Sequence, residues 1–225
     1  MSFALTRRWA PYRFDLGAAA GSARRWVTGE RIAKICIVAL FSGLAMRVAR
    51  DFSRTGHATG LLLLVSEALV VVLTMIRRPA GTVDRSFVAR LLTIVSMFGP
   101  SLVRPASNGA FVSDALTMII SGVGLTFVVM GKLTLGRSFG LAPANRGVVS
   151  TGLYRAVRHP IYMGYLITHV GFVVANPTSW NLLVLALADI GLLIRAVYEE
   201  RTLAADSAYR DYMQRVRWRI VPKVF

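Results

Sequence analysis

Apolar runs separated by short arginine-rich stretches divide most of the chain, at approximately 32–49, 58–76, 87–104, 110–131, 161–177 and 179–198. A helix rising about 1.5 Å per residue needs about 20 apolar residues to cross the hydrocarbon, so these runs predict an all-α, polytopic membrane bundle of six apolar segments. The first and third runs are marginal in length, and Arg47, Glu67, Arg90, Asp114 and Asp189 interrupt the pattern. Only Asn176-Pro177-Thr178 separates the last two runs, which predicts a tight helical hairpin. Further on, Leu203, Tyr209, Tyr212, Met213 and Val216 fall near one stripe at helical spacing. They predict a C-terminal amphipathic helix up to the region before Pro222, lying on the membrane surface or capping the hairpin.

Composition agrees with a membrane class. Of 225 residues 55% are hydrophobic and 17% charged, too apolar for an ordinary soluble domain of this size. The formal charge of +16 raises nucleic-acid binding as a possibility, but the basic residues punctuate apolar runs instead of forming one basic face, which argues against it. With the N-terminus cytoplasmic, 23 of the Lys and Arg fall on the cytoplasmic side and only Arg47, Arg50, Arg54 and Arg104 on the other. The positive-inside rule then predicts both termini in the cytoplasm and an even number of spans. Cys36 is the only cysteine, so no intramolecular disulfide forms. No apolar stretch follows Arg7 and Arg8 closely enough for a cleavable signal. Residues 1–31 read as a basic interfacial or loosely anchored segment, 32–131 as N-terminal transmembrane helices, and 132–225 as a distinct core.

Most familiar chemistries find no support. His57, His159 and His169 are the only histidines, and with Cys36 they give no close ligand pair on one helical face, so no metal site is expected. Gly122-Val123-Gly124 lacks the third glycine and the preceding strand of a dinucleotide motif, and reads as helix packing in lipid. No G-x-S-x-G elbow marks a serine hydrolase. Glu67, Asp114 and Asp189 are costly within apolar runs and stand as cavity or pairing residues without an assigned role. Two clusters remain, RGVVSTGLYRAVRHPIYMGY at 146–165 and RAVYEE at 195–200. In the first, Gly147 and Gly152 permit close backbone approach, and Arg158 and His159 precede a helix start at Pro160 that favours an anion. In the second, Arg195 and Glu199 share a helix face at i, i+4. Taken singly, these are a lipid anchor and a surface ion pair. Together, on the same side of the membrane and joined by a three-residue hairpin turn, they describe a polar pocket at the membrane surface.

VVSTGLYRAVRHPIYMGY, followed by YEERTL, AYRDYMQRV and a late IVP, resembles the isoprenylcysteine carboxyl methyltransferase family over roughly residues 132–222. Phospholipid N-methyltransferases share the R-H-P-x-Y-x-G and E-E elements. The resemblance implies an integral membrane methyltransferase using S-adenosylmethionine. It implies cofactor contacts from Arg146, Gly147, Val148 and Val149, from Tyr154, and from His159, Pro160, Ile161 and Tyr162. It gives Glu199 to the cofactor, with Glu200 able to hold that role, and Arg195 to the substrate. On this reading Arg195 and Glu199 are the catalytic pair.

Residue chemistry suits these roles. Arg158 or His159 with helix-start amides matches the cofactor's carboxylate, Glu199 its ammonium or ribose hydroxyls, and tyrosine faces its cation. The expected acceptor is an isoprenylcysteine-like carboxylate or another lipophilic or prenylated molecule entering from the membrane lipid. The alternatives are a phospholipid amine, a small thiol, or a non-catalytic transporter or assembly protein keeping the fold. No nucleic-acid partner is expected, the expected location is a bacterial inner membrane, and the sequence leaves the oligomeric state open.

Overall fold

The computed structural model describes residues 31–32, 35–47, 49–50, 53, 58–104 and 112–225. The interfacial segment expected over 1–31 lies, apart from Arg31, outside the described residues, as do Arg54 and His57. The chain divides into units Met1–Cys36 and Ile37–Phe225. Described residues of the first are helical, and Cys36 is an exposed free thiol.

The second unit is mostly helical. It begins within α1 (Ile35–Arg47) and continues through α2 (Ala58–Ile76), α3 (Phe87–Phe98), α4 (Asp114–Leu135), α5 (Pro160–Ala175), α6 (Ser179–Leu203) and α7 (Ser207–Arg215). Side chains start several of these helices by satisfying free amides. Ser86 accepts from the Ala89 N–H at 3.2 Å, Ser113 from Leu116 at 3.4 Å and Thr178 from Asn181 at 3.1 Å. Pro160 opens α5, where its missing N–H costs nothing. Two helical stretches, Ala115–Ser138 and Ser179–Leu203, are long and apolar enough to cross a membrane, and less than half of each is buried within the protein. On α6 the outward surface carries Leu183, Leu187, Ile190 and Ile194, an exposed stripe of the kind lipid covers.

Close helix approach fixes the centre of the bundle. A Cβ on Gly124 of α4 would sit 2.7 Å from the Gly164 carbonyl oxygen of α5, and one on Gly164 would sit 2.6 Å from the Gly124 oxygen. Gly131 meets Ile161 and Gly171 meets Ser121 in the same way, so small residues let the two backbones touch. Half of the reading of Gly122-Val123-Gly124 as a packing element therefore applies, because nothing lies within 4 Å of a Cβ on Gly122. The hairpin turn is as short as expected. Asn181, fully buried, donates to the carbonyls of Arg104 at 2.8 Å and Asn176 at 3.0 Å and accepts from the Arg104 N–H at 2.9 Å.

Two sequence expectations are corrected. Lys132, counted among the cytoplasmic charges, is fully buried and donates to the Ser66 carbonyl at 3.0 Å and hydroxyl at 2.8 Å. The tail is not one helix to Pro222. It breaks at Ala204–Asp206, resumes as α7 with Asp206 capping Ala208 at 2.9 Å, and ends at Arg215. Val216 leaves the helix because residues 218 and 219 are engaged elsewhere: their carbonyls accept from the Arg158 and His159 N–H groups at 2.9 and 2.7 Å. Of the two placements expected for the apolar stripe of the tail, capping the hairpin is the one found, since Tyr209, Tyr212 and Val216 bury against Tyr154. One element was not foreseen. β1 (Thr82–Val83) pairs antiparallel with β2 (Ala144–Asn145), Thr82 opposite Asn145, and ties the loop after α2 to the loop after α4.

Candidate functional site

The loops joined by this two-residue ribbon cover the end of the bundle where α2 and α4 finish and α5 begins. Arg137 fastens that end, donating through Nε to the Ile76 carbonyl at 3.2 Å and accepting from the Arg78 N–H at 2.8 Å. Beneath lies a cavity of about 460 Å³. Its loop wall is Arg146, Gly147, Val148 and Val149. The shape of that wall is set locally. Asn145 accepts the Gly147 N–H at 2.9 Å, Gly147 turns at φ +100°, and Ser138 donates to the Arg146 carbonyl at 3.1 Å. Positive φ at this turn strains any residue with a side chain. Arg146 is buried, and its guanidinium fills the space beside Gly140 that a Cβ would need.

Tyr154, His159, Ile161 and Tyr162 continue the wall, and α6 completes it with Arg195 and Glu199. The Tyr162 hydroxyl donates to Glu199 Oε2 at 2.5 Å, and the His159 ring stacks on the Tyr162 ring at 5.1 Å and 12°. The Arg195 guanidinium lies 5.4 Å from the centre of the same ring. Arg195 is 5% exposed, so a surface ion pair with Glu199 is not what this residue makes. It donates instead to the Ser96 hydroxyl of α3 at 3.3 Å and to the Leu141 carbonyl, while its Nε makes no hydrogen bond among the described residues.

Glu200 and Pro160 do not line the cavity. Consecutive residues of a helix point about 100° apart, so the acidic pair divides, with Glu199 facing the cavity and Glu200 facing the tail. Glu200 Oε1 lies 3.3 Å from both Arg158 Nε and His159 Nε2, and Oε2 accepts from Arg219 Nε at 2.9 Å. The anion that Arg158 and His159 meet is therefore the chain's own carboxylate. Arg158 also donates through Nη2 to the Arg217 carbonyl at 3.1 Å, adding to the stitching of residues 217–219 against the start of α5.

The part sequence reasoning missed comes from the end of α6 and from α7. Leu203, Tyr209 and Tyr212 line the cavity, and the Tyr212 hydroxyl donates to the Tyr154 carbonyl at 2.7 Å. The aromatic spacing of the tail is the available signal, and it predicts a packed stripe without assigning it to the cavity. Burial pushes the Tyr154, Tyr209 and Tyr212 phenols well above their ordinary range; at Tyr154 the nearby Glu199 carboxylate adds to the effect. These phenols are neutral hydrogen-bond donors at any physiological pH. At the mouth, the Asn145 amide donates to Asp206 at 2.9 Å and, with the Ala208 N–H, holds that carboxyl below the usual aspartate range.

From this polar end the cavity extends among the apolar helices, past Leu63, Val70, Leu125, Phe172 and Leu192. One space thus joins a tyrosine- and carboxylate-lined head to an apolar body. Residues 111–210 match the family described as phospholipid methyltransferase. No curated protein matches the chain.

Proposed function

We propose that the chain, which matches the phospholipid methyltransferase family over residues 111–210, moves a methyl group from S-adenosylmethionine to the polar head of an apolar acceptor. The observation that carries this reading is the continuity of the cavity from Glu199 and Tyr154 to the apolar wall on the spanning helices. Its volume falls within the range of roughly 300–1,000 Å³ common for small-molecule sites.

The residues fit the cofactor's chemistry. Glu199 offers carboxylate oxygens to an ammonium or to ribose hydroxyls, and the tyrosine-rich wall suits a cation. Val148 and Val149 offer apolar contact to a flat base, on a loop that Gly147 turns toward the cavity. Glu200 acts one step back. By fixing His159 it fixes the ring on which Tyr162 stacks, and Tyr162 in turn fixes Glu199. When bound, the cofactor supplies a sulfonium-activated methyl group for in-line displacement, so orientation by the protein provides much of the acceleration.

The acceptor group favoured by Arg195 is a carboxylate. Its buried Nε has a hydrogen to give, and an oxygen held there needs no base before it forms the new O–CH₃ bond. An amine on a phospholipid head is the second reading, favoured by the family description and by Glu199, which is placed to take the amine's proton. In either case the acceptor enters sideways from lipid and the cofactor from the basic loop side, which we assign to the cytoplasm, with both termini there and the chain in a bacterial inner membrane. The six apolar segments then act as the membrane bundle, and 132–225 as the catalytic core.

The test is transfer of a tritiated methyl group from S-adenosylmethionine into membrane extracts by the purified protein. Label in an apolar, base-labile product supports the carboxylate reading, and label in a base-stable phospholipid supports the amine. No protein-dependent transfer into either fraction contradicts the proposal.

A further inference from the structure

The apolar body of the cavity contains polar groups that methyl transfer does not use. His169 of α5 lines it, and Nδ1 of its ring lies 2.6 Å from Asp189 Oδ1 of α6. Glu67 of α2 lines it as well. These groups share a depth. α5 starts at the loop end of the bundle and reaches His169 nine residues later, whereas α2 finishes at that end nine residues after Glu67. At about 1.5 Å per residue, both lie about 13 Å below the loops. A histidine–aspartate pair and a glutamate at that depth in apolar helices are expensive, which makes them candidates for binding rather than for packing.

Their hydrogen-bonding states point to one kind of ligand. In a neutral imidazole, a carboxylate on Nδ1 fixes the ring hydrogen there and leaves Nε2 as an acceptor. The polar contact the structure gives this ring is through Nδ1 to Asp189, and Nε2 is the nitrogen left for a ligand. The Tyr165 ring stacks on the imidazole at 6.5 Å and 18°, and His169 is only 12% exposed, so the ring is held in place. The Glu67 carboxyl adds acceptor oxygens on the α2 wall. Two acceptors on the walls, beside the Ser66 and Thr168 side chains, suit a hydrogen-bond donor.

We propose that this deep end is a recognition site for a hydroxyl or amine N–H on the membrane-embedded part of the acceptor, read by Nε2 of His169 with Glu67 on the opposing element. The proposal rests on the methyltransferase reading, and it narrows the acceptor from any chain-bearing lipid to one with a donor some distance from the methylated head. Seven residues separate His169 from Tyr162, which places that donor about 10 Å from the polar end. Lipids with plain hydrocarbon chains leave Nε2 and the glutamate without partners, and the site then works against them.

The test uses the purified full chain in detergent and two probes, stearate and a stearate carrying one mid-chain hydroxyl. Calorimetry is run with S-adenosylmethionine present. The expected result is tighter binding of the hydroxylated chain, by about tenfold, as for one well-formed buried hydrogen bond to a charged or oriented partner. His169→Leu abolishes the preference while cofactor affinity is unchanged, and His169→Gln, which keeps an acceptor, retains part of it. Equal binding of the two chains by the wild-type protein, absence of binding included, overturns the proposal. So does a preference that survives His169→Leu. A separate titration with S-adenosylmethionine alone reads cofactor binding, and its failure contradicts the methyltransferase reading instead, so the two failures are distinguishable.

Discussion

Glu199 and Glu200 are adjacent and chemically identical, yet the fold gives them different tasks. Glu199 meets Tyr162 inside the cavity, and Glu200 meets Arg158, His159 and Arg219 behind it. Glu199→Gln is expected to weaken S-adenosylmethionine binding about tenfold, the effect of one charged hydrogen bond lost. Arg195→Ala is expected to lower kcat/KM for the acceptor by about a hundredfold with cofactor affinity nearly unchanged. Because Arg195 also braces Ser96 and Leu141, Arg195→Lys is the control that keeps the charge while losing the planar fork. Equal small effects from the Glu199 and Arg195 variants contradict the division of roles. The residue types and most positions of this site were legible in the sequence as two clusters. Which carboxylate faced the cavity was not, because a one-residue rotation on a helix is fixed only by what packs on each side.

At the scale of elements, α4 and α5 depend on contact through Gly124 and Gly164. Gly164→Leu forces side-chain atoms against the α4 backbone, and a loss of about 3 kcal/mol or a failure to fold is expected, read from thermal unfolding in detergent. Gly122→Ala, with open space around it, serves as the neutral comparison. The cluster of α7 with Tyr154 has a pH signature. Its phenols have folded-state pKa values raised by burial, so the stability they give is complete below the ordinary tyrosine value of about 10 and is lost as pH rises beyond it. Stability is expected to be flat from neutral pH to about 9 and to fall above, with a shallower fall in Tyr209→Phe. The positions of α5, the hairpin turn and α6 followed from apolar pattern and caps alone. The ribbon Thr82–Val83 with Ala144–Asn145 did not, since a two-residue strand carries no period, and the burial of α7 depended on partners remote in sequence.

For the whole molecule, the arrangement separates two solvents. Basic loops and the stitched tail enclose the polar head of the cavity, and exposed leucines and isoleucines of α6 surround its apolar body. Charge counting treats every Lys and Arg as a solvent-facing charge, whereas Lys132 is buried against Ser66. The central claim is that the space beside Glu199 is a site for S-adenosylmethionine. Isothermal titration of the purified full chain in detergent with S-adenosylmethionine tests it most directly. Saturable binding at one site per chain, weakened in Glu199→Gln, is the predicted result, and correctly folded protein that takes up no cofactor would contradict it.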